Sequence, residues 1–307
     1  MSRTLTEDAL ARIARLELEA RETVEGFLTG QHRSPYFGQS LEFAQHRKYA
    51  PGDDIRRIDW KVLSKTDKVY LKQYEEETNL RTTLVIDASE SMRFGGETPG
   101  RRQRRDDRGR TKFDQACRIA AALSYLLLRQ QDSVGALVFD SGVRSRVPHR
   151  AAHTHLQTIL EALATEEASS KTDFAGVLKE AADGKTGRGL VVLISDLFVD
   201  LADLKRGLEL LRVRGHEVIV FHVMDEAELT FEFAGTTKFV GLEGAGELTC
   251  DPRSLRAGYL RRLSRFLEDA GRTCSRAGAD YALVRTGDRP SAPLAAFLAR
   301  RSRTRRR

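Results

Sequence analysis

The sequence of 307 residues predicts an α/β protein: a doubly wound, mostly parallel sheet with one antiparallel edge strand, preceded by a helix and a small β-rich segment. Three observations carry this. From Arg81 onward, strand-like and helix-like runs alternate, the rhythm of βαβ units that wind helices onto both faces of a sheet. Most of the strand-like runs are dense in Val, Ile and Leu rather than alternating, as expected of strands covered on both faces. One connection, Asp140-Ser141-Gly142 between "LVF" and "VRSRVP", is a tight hairpin turn, which makes the strand after it antiparallel.

In chain order, residues 1–30 form an N-terminal helix. Leu10, Ile13, Leu16, Ala20, Val24 and Phe27 recur at helical spacing, Thr6-Glu7-Asp8 suits its start, and Gly30 its end. Residues 31–80 change character: a Pro51-Gly52 turn, then "IRRIDW", then the period-two stretch "KVYLKQYEEE" predict short strands and turns, with Trp60 and Phe43 shielded. Residues 81–290 carry the strands "TTLVIDAS", "SVGALVFD", "VRSRVP", "GLVVLISDLF", "HEVIVFHVM" and "DYALVRT". Helices fall near 112–131, 151–167, 173–183, 200–214 and 252–278. Residues 226–251 interrupt the alternation and predict an inserted hairpin, and residues 291–307 close the chain as a basic tail.

Composition narrows the function classes. Apolar residues make up 40% and charged residues 31%, and no run approaches the roughly 18 apolar residues of a membrane span. The first twenty residues hold acids where a signal peptide needs an apolar block, which predicts a cytoplasmic protein. Cys117, Cys250 and Cys274 lie far apart and read as free thiols; no CxxC pair and no HExxH is present. The net charge of +7 is concentrated in two places: six arginines in Arg300–Arg307, and seven bases against two acids in Arg101–Lys112. The rest of the chain is mildly acidic. Neither basic run has an aromatic residue interleaved for base stacking, so nucleic acid is not the expected partner and the arms read as solvated. Residues 96–112, nearly devoid of apolar side chains, predict a flap.

The chemistry-bearing residues sit at strand ends. "TLVIDASES" ends a buried strand with Asp87, Ser89 and Ser91; Asp196 closes "LVVLISD"; Thr172 lies just before a helix in "SSKTDFAG". In an open parallel sheet, sites form outside the carboxyl ends of the strands. Two carboxylates and three hydroxyls there suit a hard cation, Mg2+ or Mn2+, rather than zinc. Taken singly, each has a plainer role: Ser89 and Ser91 as caps of one helix, Asp196 as cap of another.

This arrangement resembles the metal-ion-dependent adhesion site of von Willebrand factor A domains, whose five ligand positions correspond to Asp87, Ser89, Ser91, Thr172 and Asp196. The earlier block "GQSLEFAQHRKYAPGDDIRRIDWKVLSK" is similar to the signature of the bacterial and archaeal family called domain of unknown function 58, in which a GDD-x-R-x-x-DW segment precedes a von Willebrand A-like domain. The resemblance implies a Rossmann-like fold, a bound divalent ion that accepts an acidic residue from a protein ligand, and a MoxR-type AAA+ ATPase as partner. Asp53, Asp54, Arg56, Asp59 and Trp60 are then candidates for partner contact, or alternatively for a turn with an ion-pair network that includes Arg47 and a packed indole.

The function expected is a metal-ion-dependent protein–protein interaction module acting as adaptor or co-chaperone, without ATPase activity of its own, because no GxxxxGK[ST] occurs. A Mg-dependent phosphatase-like enzyme is the alternative from another class. An aspartyl nucleophile of that kind needs a second acid two residues on, where Ser89 stands. A nucleic-acid-associated role through the basic arms is the third.

Overall fold

The computed structural model describes residues 7–30, 43–48, 60–66, 69–74, 80–95, 110–140, 142–164, 174–183, 187–233, 235–241 and 246–304. The chain divides into two compact units, Leu28–Asn79 and the remainder, Met1–Phe27 with Leu80–Arg307.

Helix α1 (Glu7–Gly30) buries Ile13, Leu16, Ala20 and Val24, the stripe its periodicity predicts, while Leu10 is exposed. In the smaller unit, β1 (Phe43–Lys48) pairs antiparallel with β2 (Tyr70–Tyr74), and α2 (Trp60–Thr66) lies between them in sequence. The strand pair agrees with the period-two pattern. Helix α2 stands in a segment read as short strands and turns, and Trp60, expected to be shielded, is 64% exposed at its start.

The larger unit holds a six-stranded sheet. Its elements in order are β3 (Arg81–Asp87), a 3-10 turn (Glu90–Arg93), α3 (Lys112–Arg129), β4 (Ser133–Phe139), β5 (Val143–Arg150), α4 (His155–Ala164), α5 (Phe174–Asp183) and β6 (Leu190–Ser195). There follow α6 (Leu201–Val213), β7 (Glu217–Met224), α7 (Glu226–Thr230), the antiparallel hairpin β8 (Thr237–Val240) and β9 (Glu247–Cys250), α8 (Pro252–Arg276), β10 (Asp280–Arg285) and α9 (Ser291–Thr304). Across the sheet the order is β10-β7-β6-β3-β4-β5, parallel throughout except for β5, which pairs antiparallel with β4. The α/β class, the parallel sheet and the antiparallel edge strand are as the sequence predicts.

Two layers of helices cover the sheet. Val85, Leu193 and Val220 on one face pack with Leu178 of α5, Leu204, Leu208 and Leu211 of α6 and Ala270 and Cys274 of α8. On the other, α3 packs against β3, β4, α4 and α9. Helix α1 is tied to α3 by Arg12–Asp114 at 3.0 Å and Arg118–Glu19 at 2.8 Å. The segment read as a basic tail is folded as α9 through Thr304, because Leu294 and Phe297 recur one turn apart and are buried. Winding from β3 outward to β4 and β5, then back past β3 to β6, β7 and β10, reverses direction between β3 and β6. That is the topological switch point, where the strand ends leave a crevice.

Close helix packing rests on one glycine. A Cβ at Gly207 of α6 would lie 2.2 Å from Leu178 Cδ1 and 2.8 Å from Leu178 Cβ on α5, and the latter cannot rotate away. Gly207→Ala should therefore lower stability by about 1–3 kcal/mol through overpacking, despite alanine's better helix propensity. Gly258→Ala, at an exposed site of α8 with nothing within 4 Å, should raise it by up to about 1 kcal/mol. Thermal or urea unfolding of both variants checks the opposite signs.

Candidate functional site: a buried charge cluster at the switch point

Strand β3 is buried along its last four residues and delivers Asp87, 2% exposed, to the carboxyl rim. Its neighbour β6 delivers Ser195 and, one residue past its end, Asp196, 1% exposed. Asp87 Oδ1 accepts the Ser89 amide at 2.9 Å, and Oδ2 accepts the Ser195 hydroxyl at 2.6 Å. Ser195 Oγ in turn accepts the Leu197 amide at 2.9 Å. This fixes Leu197, fully buried, in the left-handed region at φ 55°, a strained conformation for a residue with a Cβ.

The plainer capping roles do not account for the oxygens. Ser89 stands at the N-cap of the 3-10 turn but makes no side-chain cap bond; its hydroxyl lies 3.1 Å from that of Ser91. Helix α6 is capped by Asp200, which accepts from Ala202 at 2.8 Å, so Asp196 is not needed there. Asp196 accepts from the Phe198 amide at 3.3 Å through Oδ1 and from Lys112 through Oδ2.

Lys112 was read as part of the exposed basic run; it is fully buried. Its Nζ donates to Asp196 Oδ2 and Glu228 Oε1, both at 2.8 Å, and lies 4.6 Å from the Phe198 ring and 5.7 Å from the Phe94 ring. Local sequence explains how it gets there. Thr111 and Asp114 form a reciprocal capping box that starts α3 with Lys112 as its first residue, and Lys112 N donates to Phe94 O at 2.9 Å. Gly95 is required beside it: at φ 123°, a Cβ would lie 2.7 Å from Arg110 O. Glu228 is placed by a second capping box with Asp225 at the start of α7, its Oε2 accepting the Asp225 amide at 2.8 Å.

The electrostatics follow from burial. Asp87 is pushed up to about 7, first by desolvation and then by the nearby Asp196 charge, with the Ser195 and Ser89 bonds pulling the other way. Lys112 is raised: desolvation opposes its charge, but Asp196 and Glu228 outweigh it. Glu228 is raised by desolvation, partly offset by Lys112. Behind the cluster, His222 pairs across the strands with Ser195, shares a 2.8 Å hydrogen bond with Tyr281 Oη, and is pushed down to about 4 by burial.

Of the predicted ligands, Asp87, Ser89, Ser91 and Asp196 therefore converge on the rim, and Thr172 lies outside the described residues. Asp53, Asp54, Arg56 and Asp59 also lie outside them; Trp60 is described and exposed. Among the described residues, no three His, Cys, Asp or Glu side chains group as a metal site. The donor set is two carboxylates with hydroxyls, and among the described residues Asp87 has hydroxyl and amide partners and no cation. Sequence reading missed Ser195, Lys112, Glu228 and His222. For two of these a signal existed: Asp225-x-x-Glu228 is a capping-box spacing, and Lys112 is a cation at a helix start, where the dipole disfavours one.

His222 gives a pH prediction. Its folded pKa lies below the ordinary 6.5, so its stabilising contribution is present above pH 6.5 and is lost as pH falls toward 4. His222→Gln should lose less stability than the wild type over that interval, by on the order of 3 kcal/mol. Melting curves across the range measure the difference; parallel losses would contradict it.

The comparisons agree with the sequence reading at the level of family. The uncharacterized protein Rv1480 of Mycobacterium tuberculosis is 30% identical over 298 residues, covering 95% of this chain and 90% of the relative. The uncharacterized protein Mb1516 of Mycobacterium bovis matches to the same extent. Among solved structures, the conserved hypothetical protein BatB from Bacteroides thetaiotaomicron aligns with a TM-score of 0.45 and 13% identity, over 73% of this chain and 99% of that one. The SpRpn10 VWA domain aligns with a TM-score of 0.38 and 13% identity, over 69% and 92%. No helix among the described residues is long and apolar enough to cross a membrane. Residues 45–266, more than half of the chain, match the family described as protein of unknown function DUF58, and the chain belongs to that family.

Proposed function

We propose that this protein is a metal-ion-dependent protein–protein interaction module that presents a divalent cation, Mg2+ or Mn2+, at the carboxyl rim of its sheet to an acidic residue of a partner. The observation that carries the reading is the pair of buried carboxylates, Asp87 and Asp196, at adjacent strand ends, with the Ser89 and Ser91 hydroxyls beside them and unused as caps. Oxygen-only donors of this kind suit a hard cation. Asp87 supports it further: burial and the Asp196 charge make its ionised form costly, and a divalent ion relieves both. Asp87, Ser89 and Ser91 would hold the ion from β3 and its following turn, Asp196 from the end of β6, and Thr172 completes the set by resemblance. Hydroxyl ligands add no charge, so the bound ion would stay electrophilic enough to take a carboxylate from outside.

The partner we propose is a MoxR-type AAA+ ATPase, with this chain as adaptor or co-chaperone in the cytoplasm; the basis is the family resemblance of the "GDDIRRIDW" block and the strand-end oxygens. Asp53, Asp54, Arg56, Asp59 and Trp60 are the second contact candidates, and the exposed Trp60 indole is available for such a contact.

Two measurements test the reading. Titration calorimetry with Mg2+ and Mn2+ should give heat with the wild type and none with Asp87→Ala; equal heats would remove the metal assignment. A pull-down with the ATPase encoded nearest the gene should be lost in EDTA and weakened by Asp196→Ala. Undiminished capture in EDTA would move the contact away from the rim.

A further inference from the structure

We propose that Lys112 is a resident counter-cation that shares Asp196 with the divalent ion, and that it thereby sets how tightly the rim holds its metal. This rests on the metal reading above and adds a determinant that the oxygen pattern does not contain.

The geometry is that of a built cation site already filled by the chain itself. The ammonium is 2.8 Å from one oxygen each of Asp196 and Glu228 and fully buried. The Phe198 and Phe94 rings lie 4.6 and 5.7 Å away, which favours a cation. Neither anchor is loose. Lys112 is fixed as the first residue of a helix whose capping box is complete, and Glu228 is held through its other oxygen by the Asp225 amide. Asp196 therefore meets an incoming ion with Oδ2 already engaged, whereas Asp87 has no cation beside it among the described residues.

Charge bookkeeping gives the consequence. With all four groups ionised, three carboxylates and one ammonium leave the cluster with a net charge of −2, which one divalent ion would neutralise. Without the ammonium, three carboxylates would share a buried space, and the metal-free fold would carry the full repulsion and desolvation. With it, the empty site is tolerable and the ion is held less tightly, which suits a site that loads and unloads. Glu228 moderates the competition by taking half of the ammonium's attention away from Asp196.

The test is a set of calorimetric Mn2+ titrations on the full-length chain, each paired with a thermal melt with and without Mn2+. Lys112→Met should bind Mn2+ about tenfold more tightly or better, as expected for removing a unit charge a few ångströms away. Its melting temperature should drop without metal and recover with it more than the wild type's does. Glu228→Gln, which keeps the cap but leaves Asp196 as the ammonium's sole carboxylate, should bind several-fold more weakly. Because Lys112 also occupies Asp196 Oδ2, Lys112→Met should bring a clearly smaller gain in an Asp196→Asn background than in the wild type.

Equal affinity in wild type and Lys112→Met, or the same gain with and without Asp196, overturns the role of Lys112 and leaves the metal site standing. Absence of heat from the wild type and every variant overturns the metal reading, and this proposal with it. If Lys112→Met does not fold even with Mn2+, Glu228→Gln decides: unchanged or tighter binding overturns the proposal.

Discussion

A buried ammonium held between two buried carboxylates joins three parts of the chain that lie far apart in sequence. Lys112 starts α3, Asp196 follows β6, and Glu228 lies in α7, and each sits where its charge alone would be costly in the interior. Together they offset one another in part, and removing Lys112 would leave two buried carboxylates without their counter-ion. The cluster therefore fixes how α3, the β6 terminus and α7 meet at the rim, and it does so against the preference of the α3 dipole, which disfavours a cation at a helix start. The Phe94 and Phe198 rings keep the pair dry and strengthen it.

The same rim contains a second, neutral network that positions the carboxylates. Ser195 bridges Asp87 and the Leu197 amide, and the left-handed Leu197 turns the chain so that the Asp196 side chain faces α3 and α7 rather than starting α6. Asp200 takes over the capping of α6. Hydroxyl groups that a helix start would ordinarily use, those of Ser89 and Ser91, face each other instead. Local strain and unused caps at a strand end are tolerated when the surrounding core over-determines the backbone, and β3 and β6 are the two central strands of the sheet. The stiffness of that core is what holds these donors in register.

The position of the site follows from topology. Winding in opposite directions from β3 leaves a crevice between β3 and β6, and the donors of that crevice come from the ends of these strands and the residues just past them. A cation at the proposed site would lie between the two halves of the sheet. The exposed Trp60 belongs to the other compact unit, so the two candidate contact regions reside on different units of the chain.

The sequence by itself determined the class of fold, the six sheet strands, the antiparallel edge and the strand-end aspartates. Each of these is written in local periodicity or turn chemistry: apolar runs for buried strands, helical spacing between them, Asp-Ser-Gly for the hairpin. It determined less where apolar spacing was short or diluted by charge, as in α9, where Leu294 and Phe297 are followed by the arginines that made the segment look like a tail. Only the tertiary structure decided that Lys112, one base among seven in its run, is buried and paired. A charge's environment is a property of what packs around it. Asp196 and Glu228 lie 84 and 116 residues away, and no local pattern encodes a separation of that length.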